Sequence, residues 1–175
     1  LSRFRFELAN GRRGIVVLIN KHQISVNSTE EITPNVLKIP AEINEKTLAI
    51  FATYAPSNES NVDFFVDLRR SQLRCSETYQ IIAGDLNTTL DPNWDRVGYT
   101  RDEHWRSRAI INDWAEDENG NGMLDAYRVF NPELREFTWR NKSLSQQARL
   151  DYILVSENLV FALKKCQIIH HPWEI

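Results

Sequence analysis

Apolar and polar residues alternate along Phe4-Arg5-Phe6-Glu7-Leu8, the two-residue period of a half-buried strand. Asn10-Gly11 marks a tight turn, and Gly14 to Asn20 is nearly all apolar, so the opening segment reads as a β-hairpin. Asn35 to Ile39 and Lys46 to Tyr54 predict two further strands. The second ends in Ile50-Phe51-Ala52-Thr53-Tyr54, apolar enough to lie inside a sheet sandwich. Pro56 stops it, because proline offers no amide to the ladder. Ser60 or Asn61 can cap a helix running to about Arg74, with Phe64, Phe65, Leu68 and Leu73 on or near its buried face. Tyr79 to Ala83 is a short apolar strand that runs into Gly84-Asp85-Leu86-Asn87. After a polar stretch, Ala109 to Trp114 reads as a helix, and Glu136 to Trp139 and Leu150 to Val155 as strands. Runs of strands interrupted by helices predict a two-layer sheet sandwich with helices on its faces.

Composition narrows this picture only moderately. The 175 residues contain no repeat, low-complexity tract or linker, which predicts a single domain over 1–175. A hydrophobic share of 42% with 26% charged residues excludes a disordered chain. No window approaches the roughly 18 to 20 apolar residues of a membrane-spanning helix, so no membrane partner is expected. The opening Leu-Ser-Arg-Phe has neither an initiator Met nor the apolar run of a signal peptide, and reads as the interior of a longer protein. Two cysteines, Cys75 and Cys166, point to a reduced, intracellular setting. Net charge is −3, which does not advertise nucleic-acid binding. Yet 15 of the 21 basic residues are arginine, gathered at Arg12-Arg13, Arg69-Arg70-Arg74 and Arg101-Arg106-Arg108, with Arg135, Arg140 and Arg149 later. Arginine forks suit phosphate, although each cluster also reads as an ordinary solvated surface.

Four elements carry candidate chemistry. In Ile81-Ile82-Ala83-Gly84-Asp85-Leu86-Asn87 a buried strand ends by presenting a carboxylate and a carboxamide. On an extended backbone Asp85 and Asn87 point the same way, and together could hold a metal-bound water and take its proton. A simple Asx turn is the competing reading. In Arg149-Leu150-Asp151-Tyr152-Ile153-Leu154-Val155, Asp151 falls in an apolar strand, where a carboxylate needs a partner. It would orient a histidine, hold a cation, or pair with Arg149. Tyr54, at the end of its strand, could place its hydroxyl on a phosphate, or close the core edge. Phe137-Thr138-Trp139-Arg140-Asn141 offers a hydroxyl, a large aromatic face and a guanidinium for nucleic acid, with Trp139 equally placed to be core.

The order of these elements is more specific than any one of them. A strand ending in Tyr-x-Pro is followed after about 30 residues by Gly-Asp-x-Asn, after about 50 more by Thr-Trp, and after about 10 by Arg-Leu-Asp-Tyr. This pattern resembles the endonuclease/exonuclease/phosphatase superfamily. The wording of Leu124-Asp125-Ala126-Tyr127-Arg128-Val129-Phe130-Asn131-Pro132 and of Phe137 to Asn141 is similar to the endonuclease domains of non-LTR retrotransposons. The resemblance implies an α/β (α+β) fold, a four-layer α/β/β/α sandwich of the DNase-like type, incomplete here. It implies phosphodiester hydrolysis with Mg2+, or Mn2+, on double-stranded DNA, with nuclear location and a reverse transcriptase domain in the same polyprotein.

Under the resemblance, Asp85 would activate or position water, and Asp85 and Asn87 would touch the metal. Asn87 would also orient the phosphate or Asp85 itself, and Tyr54 would hydrogen-bond the scissile phosphate. Asp151 would brace the histidine of a C-terminal Ser-Asp-His motif. Thr138, Trp139, Arg149 and Asn141 would line or support the substrate groove. The family's early asparagine, its metal-binding glutamate and its Ser-Asp-His have no match between residues 1 and 175. The resemblance therefore implies that this chain alone is inactive. The alternatives are a catalytically inactive remnant or binding module, or a cellular phosphodiesterase acting on RNA, lipid or inositol phosphates.

Other groups are set aside. Asp117 to Gly122 has the look of a calcium loop, but its twelfth position is Arg128 rather than a glutamate. Cys166, His170 and His171 lack a fourth zinc ligand. His22 and His104 read as surface residues.

Overall fold

The computed structural model describes residues 4–170 except 10–13, 21, 27, 44, 59, 60, 103, 118 and 119. The Asn10-Gly11 turn, the Arg12-Arg13 pair, the Ser60 cap and His171 lie outside the described residues. In chain order, β1 (Phe4–Ala9) and β2 (Ile15–Asn20) precede β3 (Ser25–Val26), β4 (Glu30–Thr33), β5 (Val36–Ile43) and β6 (Lys46–Tyr54). Next come α1 (Asn61–Leu73), β7 (Tyr79–Asp85), β8 (Arg96–Val97), α2 (Trp105–Ala115), β9 (Met123–Asp125) and α3 (Ala126–Phe130). β10 (Trp139–Arg140), β11 (Gln147–Ala148) and β12 (Asp151–Ser156) end the strand set, followed by a 3-10 turn at Glu157–Ala162.

The main sheet has seven strands, ordered β3-β5-β6-β7-β12-β9, with β4 also paired to β5. Among the described residues only β6 and β7 run parallel, with α1 as their crossover. Alternation along the central strands sends two sets of side chains to opposite faces. Ala49, Phe51, Ile82, Tyr152 and Leu154 meet Phe64, Phe65 and Leu68 of α1 and Ile111 and Trp114 of α2. Phe65 stands edge-on to Phe64 at 5.0 Å and to Trp114 at 6.1 Å between centroids. On the other face, Leu37 and Ile39 pack against Ile19 of β2. β1 and β2 pair antiparallel along their whole length, so they lie over β5 and β6 as a second sheet layer. Helix, sheet and sheet, three of the four implied layers, are thus stacked in order.

Several boundaries differ from expectation. α2 starts four residues earlier than the expected Ala109, at Trp105, because Ser107 belongs to the same buried face as Ile111 and Trp114. Leu73 is 48% exposed, since α1 turns it away from the sheet after Leu68. The expected strand at 136–139 is only Trp139–Arg140, and it joins β11 and β8 in a separate three-stranded sheet. β9 and α3 were not legible, being too short to show a period.

Phe65 is fully buried between α2 and the sheet. Phe65→Ala is expected to lower unfolding free energy by about 3–5 kcal/mol, through lost burial and a residual cavity. Urea denaturation followed by circular dichroism measures it.

Candidate active site

Strand polarity gathers the candidate residues. β6 and β7 are parallel and end together, while antiparallel β12 begins at that same end. Register pairs Tyr54 with Asp85, and Asp85 with Asp151. Paired residues project from the same face, so the three side chains stand in a row, with neighbouring strands about 4.8 Å apart. Each lies an odd three residues from a helix-facing partner, Phe51, Ile82 or Leu154, so the row occupies the face away from α1 and α2. Leu86 N donates to Leu150 O at 2.8 Å, which makes Asp85 and Asp151 a non-hydrogen-bonded pair. In such pairs the side chains approach most closely.

Gly84 makes this approach possible. Its φ is +144°, and a Cβ there would lie 1.9 Å from the Thr53 carbonyl oxygen. Only glycine lets β7 pass β6 this closely just before Asp85. Beyond Asp85 the chain does not stay extended. Asn87 has φ +46°, and its N–H donates to Asp85 Oδ1 at 2.8 Å, which is the Asx turn. The expected parallel projection of Asp85 and Asn87 is therefore replaced by a turn. The turn still delivers Asn87 to the site, because its Nδ2 donates to the Ala55 carbonyl at 2.6 Å, directly after Tyr54. Asn61 ties the same two loops together, donating to Pro56 O at 2.6 Å and to Leu86 O at 3.4 Å.

Asp151 opens β12 and is exposed rather than enclosed among apolar neighbours. Its strand is held in place by Thr138, whose Oγ1 accepts from Leu150 N at 3.0 Å and Asp151 N at 3.2 Å. Thr138 therefore supports the carboxylate's backbone. Trp139 is 40% exposed, and with Arg140, Lys142 and Leu144 it lines an open groove of about 810 Å³ on the β10–β11 hairpin. Asn141 closes that hairpin, donating to Ser145 Oγ at 3.0 Å and accepting from Gln146 N at 3.1 Å. Its amide thus holds the turn while the residue also lines the groove.

Arg149 departs most from expectation. It is 1% exposed and does not line the Trp139 groove, although it borders a cavity beside Thr138 and Asp151. Its Nε and Nη2 grip Asp95 side-on at 3.0 Å each, and Nη2 reaches Asp125 at 2.6 Å. Asp95 is fully buried and also accepts from Arg128 at 2.8 Å and the Tyr152 hydroxyl at 3.1 Å. Burial first, then the Asp95 charge, holds the Tyr152 phenol well above its ordinary value, so it stays a donor. No local pattern marked Asp95, because its side-chain partners lie 33, 54 and 57 residues away.

The arginine clusters divide. Of the α1 cluster, Arg69 pairs with Asp117 inside the fold, whereas Arg70 pairs with Asp67 on the surface and Arg74 is exposed. Arg96 and Arg108 share Asp102, while Arg101 and Arg106 remain exposed. Arg96, Arg101, Tyr99 and His104 line a pocket of about 360 Å³ that opens on Asn87. His104 is half-buried there, not a surface residue, while His22 is exposed as expected. His170 faces Glu136 at 3.7 Å.

Among the described residues, no group of three or more His, Cys, Asp or Glu side chains gathers as a metal cage. Mg2+ does not require one, since it is commonly held by one or two carboxylates with water completing its shell. Directly opposed carboxylates such as Asp85 and Asp151 repel, and a cation between or beside them relieves this. The residues present fit a divalent cation held by Asp85, with Asp151 and Asn87 beside it.

A helix-backed mixed sheet with carboxylates and a tyrosine gathered at its strand ends has the form of a DNase-like phosphoesterase. The sequence profile of the Endonuclease/Exonuclease/phosphatase family matches residues 4–171, and the chain belongs to that family. Its members are nucleases and phosphodiesterases that use divalent metal ions. Among curated protein sequences none matches this chain. The fold is that of the APE2 catalytic domain from Xenopus laevis, at 18% identity and TM-score 0.71, covering 92% of this chain and 68% of that one. The endonuclease domain of TRAS1, a telomere-specific non-LTR retrotransposon, gives 14%, 0.68, 92% and 70%. A 3′ phosphatase from Neisseria, bound to a product DNA hairpin, gives 15%, 0.70, 93% and 70%. This chain therefore spans about seven-tenths of those structures.

Gly84→Ala is expected to destabilise the fold by about 3 kcal/mol or more, because both φ and the Thr53 carbonyl oppose a Cβ. Chemical denaturation beside a surface glycine control, Gly120→Ala, separates the steric effect from φ alone. A second expectation concerns acid. The Arg108 hydrogen bond, with Arg96 nearby, holds Asp102 below the usual carboxylate range. Its stabilisation is complete above the unfolded value of about 4 and is lost as pH falls through the lowered folded value. Wild type and Asp102→Asn should therefore show converging stabilities as pH drops below about 4, read from melting curves at successive pH values.

Proposed function

We propose that this chain is the core of a Mg2+-dependent phosphodiesterase that nicks double-stranded DNA, as the endonuclease module of a reverse-transcriptase polyprotein. The observation that carries it is the register row of Tyr54, Asp85 and Asp151, with Asn87 turned in beside it. When bound, the cation would supply charge to a phosphate oxygen and lower the pKa of attacking water. Asp85 orients that water and receives its proton, with its Oδ1 fixed by the Asn87 amide. The Tyr54 hydroxyl and the Asn87 side chain position the phosphate from the β6 side. Asp151, steadied by Thr138, holds the group that protonates or stabilises the departing oxygen.

Support for DNA comes from the ground beside this row. The β10–β11 hairpin presents an exposed tryptophan between cationic side chains, and the Arg96/Arg101 pocket opens on Asn87. The likeness to a retrotransposon endonuclease domain and to a DNA-bound phosphatase supports the same substrate class. The polyprotein setting predicts a reverse transcriptase in the same reading frame.

Supercoiled plasmid, Mg2+ and the full-length protein carrying this segment form the test. Nicking is expected, with Asp85→Ala lowering kcat by at least about 100-fold at nearly unchanged KM. Equal, background-level cleavage by wild type and Asp85→Ala would make the chain a non-catalytic binding module. Cleavage of RNA or a phosphoinositide in preference to plasmid would move it to another substrate class.

A further inference from the structure

Asp95 stands at the junction of three segments that carry or flank the site. It ends the irregular loop that begins at Leu86, and its own carbonyl accepts Arg149 N at 2.8 Å, two residues before Asp151. Its carboxylate takes Arg149, Arg128, the Tyr152 hydroxyl and the Asp91 amide, the last at 3.1 Å. Tyr152 closes the circuit. Its hydroxyl accepts the Leu90 amide at 3.0 Å and lies 2.9 Å from the Arg149 carbonyl. The Arg149 guanidinium lies over the Tyr152 ring at 4.3 Å and the Tyr127 ring at 5.0 Å. Asp125, bound to the same guanidinium, caps α3 by accepting from Tyr127 N and Arg128 N.

Such an assembly is a poor choice if stability alone were required. Burying Arg149 and Asp95, with Asp125 and Arg128 half-buried beside them, forfeits much of their hydration, and packed apolar side chains of equal volume often do as well or better. Arg149 also leaves Nη1 buried without a hydrogen bond among the described residues. What directional bonds provide, and apolar contact does not, is a fixed distance between chain segments. The loop from Leu86 to Asp95 has no regular structure; Leu86 is anchored in the core and to Leu150, and beyond it these bonds hold the loop to β12.

We propose that Tyr152, Arg149 and Asp95 form a buried clamp of positioning residues that fixes the Asn87 loop against the start of β12, and thereby the spacing between Asn87 and Asp151. The clamp reaches both by backbone: Tyr152 through Leu90 N, Asp95 through Arg149 N. Its side chains are almost wholly buried, so they act through the residues they position. Its role in the reaction rests on the phosphodiesterase reading above, while its role in holding the loop does not.

The test uses Tyr152→Phe, which removes one hydroxyl and keeps the ring, and Arg149→Lys, which keeps the charge and loses the side-on fork. In the full-length protein, Tyr152→Phe is expected to cut kcat for plasmid nicking by about 10- to 100-fold, with KM within about twofold. Hydrogen exchange of residues 86–91 should rise about tenfold or more, while the β5–β6 amides keep their wild-type protection. Arg149→Lys should show the same pattern at least as strongly, which also covers failure of the first variant to fold. Unchanged exchange at 86–91 overturns the clamp whatever the activity. Raised exchange with wild-type kcat overturns the catalytic part, leaving a structural tie. A wild-type protein that does not nick removes the functional reading, and the exchange result still decides the clamp.

Discussion

The register of β7 between β6 and β12 is the constraint on which the rest depends. Tyr54, Asp85 and Asp151 belong to three strands that are far apart in sequence, and only this pairing places them side by side. A slip of one residue in either ladder would turn one member of the row into the helical core and expose an apolar residue instead. Burial of Phe51, Ile82 and Leu154 against α1 and α2 forbids that slip, so the hydrophobic core is also what aligns the site. Gly84 adds a local lock, since no other residue could face Thr53 at this distance.

Charge is handled in two different ways on the two sides of the sheet. At the strand ends, Asp85 and Asp151 oppose each other at a place open to water, where a cation and an anionic substrate can enter. Toward the helical side, Asp95 and Asp125 are neutralised by Arg149 and Arg128 within the fold. The first arrangement stands at the accessible end of the sheet. The second meets its demand internally and converts it into geometry. This is why arginine enrichment by itself was an uncertain guide to a phosphate site: Arg149 and Arg69 answer internal carboxylates, while Arg101, Arg106 and Arg140 face solvent.

Two families of residues accordingly differ in how they could be found from the chain. Tyr54, Asp85 and Asp151 each end or begin an apolar strand, with Asn87 two residues past one, so a break in hydrophobic pattern marks them. Asp95 and Tyr152 lie where pattern says nothing, one in a polar loop and one among core residues. Leu73 and the segment at 136–139 misled for a related reason, because an apolar residue near a helix end or a short run beside a turn satisfies the period without being buried.

The chain by itself determined the central strands, α1, the two-faced apolar pattern, and the order of motifs that marks this family. These follow from contacts within a few residues and from periodicity, which are local properties. The tertiary structure alone decided that Asn87 enters through a left-handed turn, that Arg149 points inward to Asp95, and that Asn141 serves its hairpin. Each depends on a partner brought close by folding, and a hydrogen bond's direction is set by where that partner stands rather than by sequence spacing.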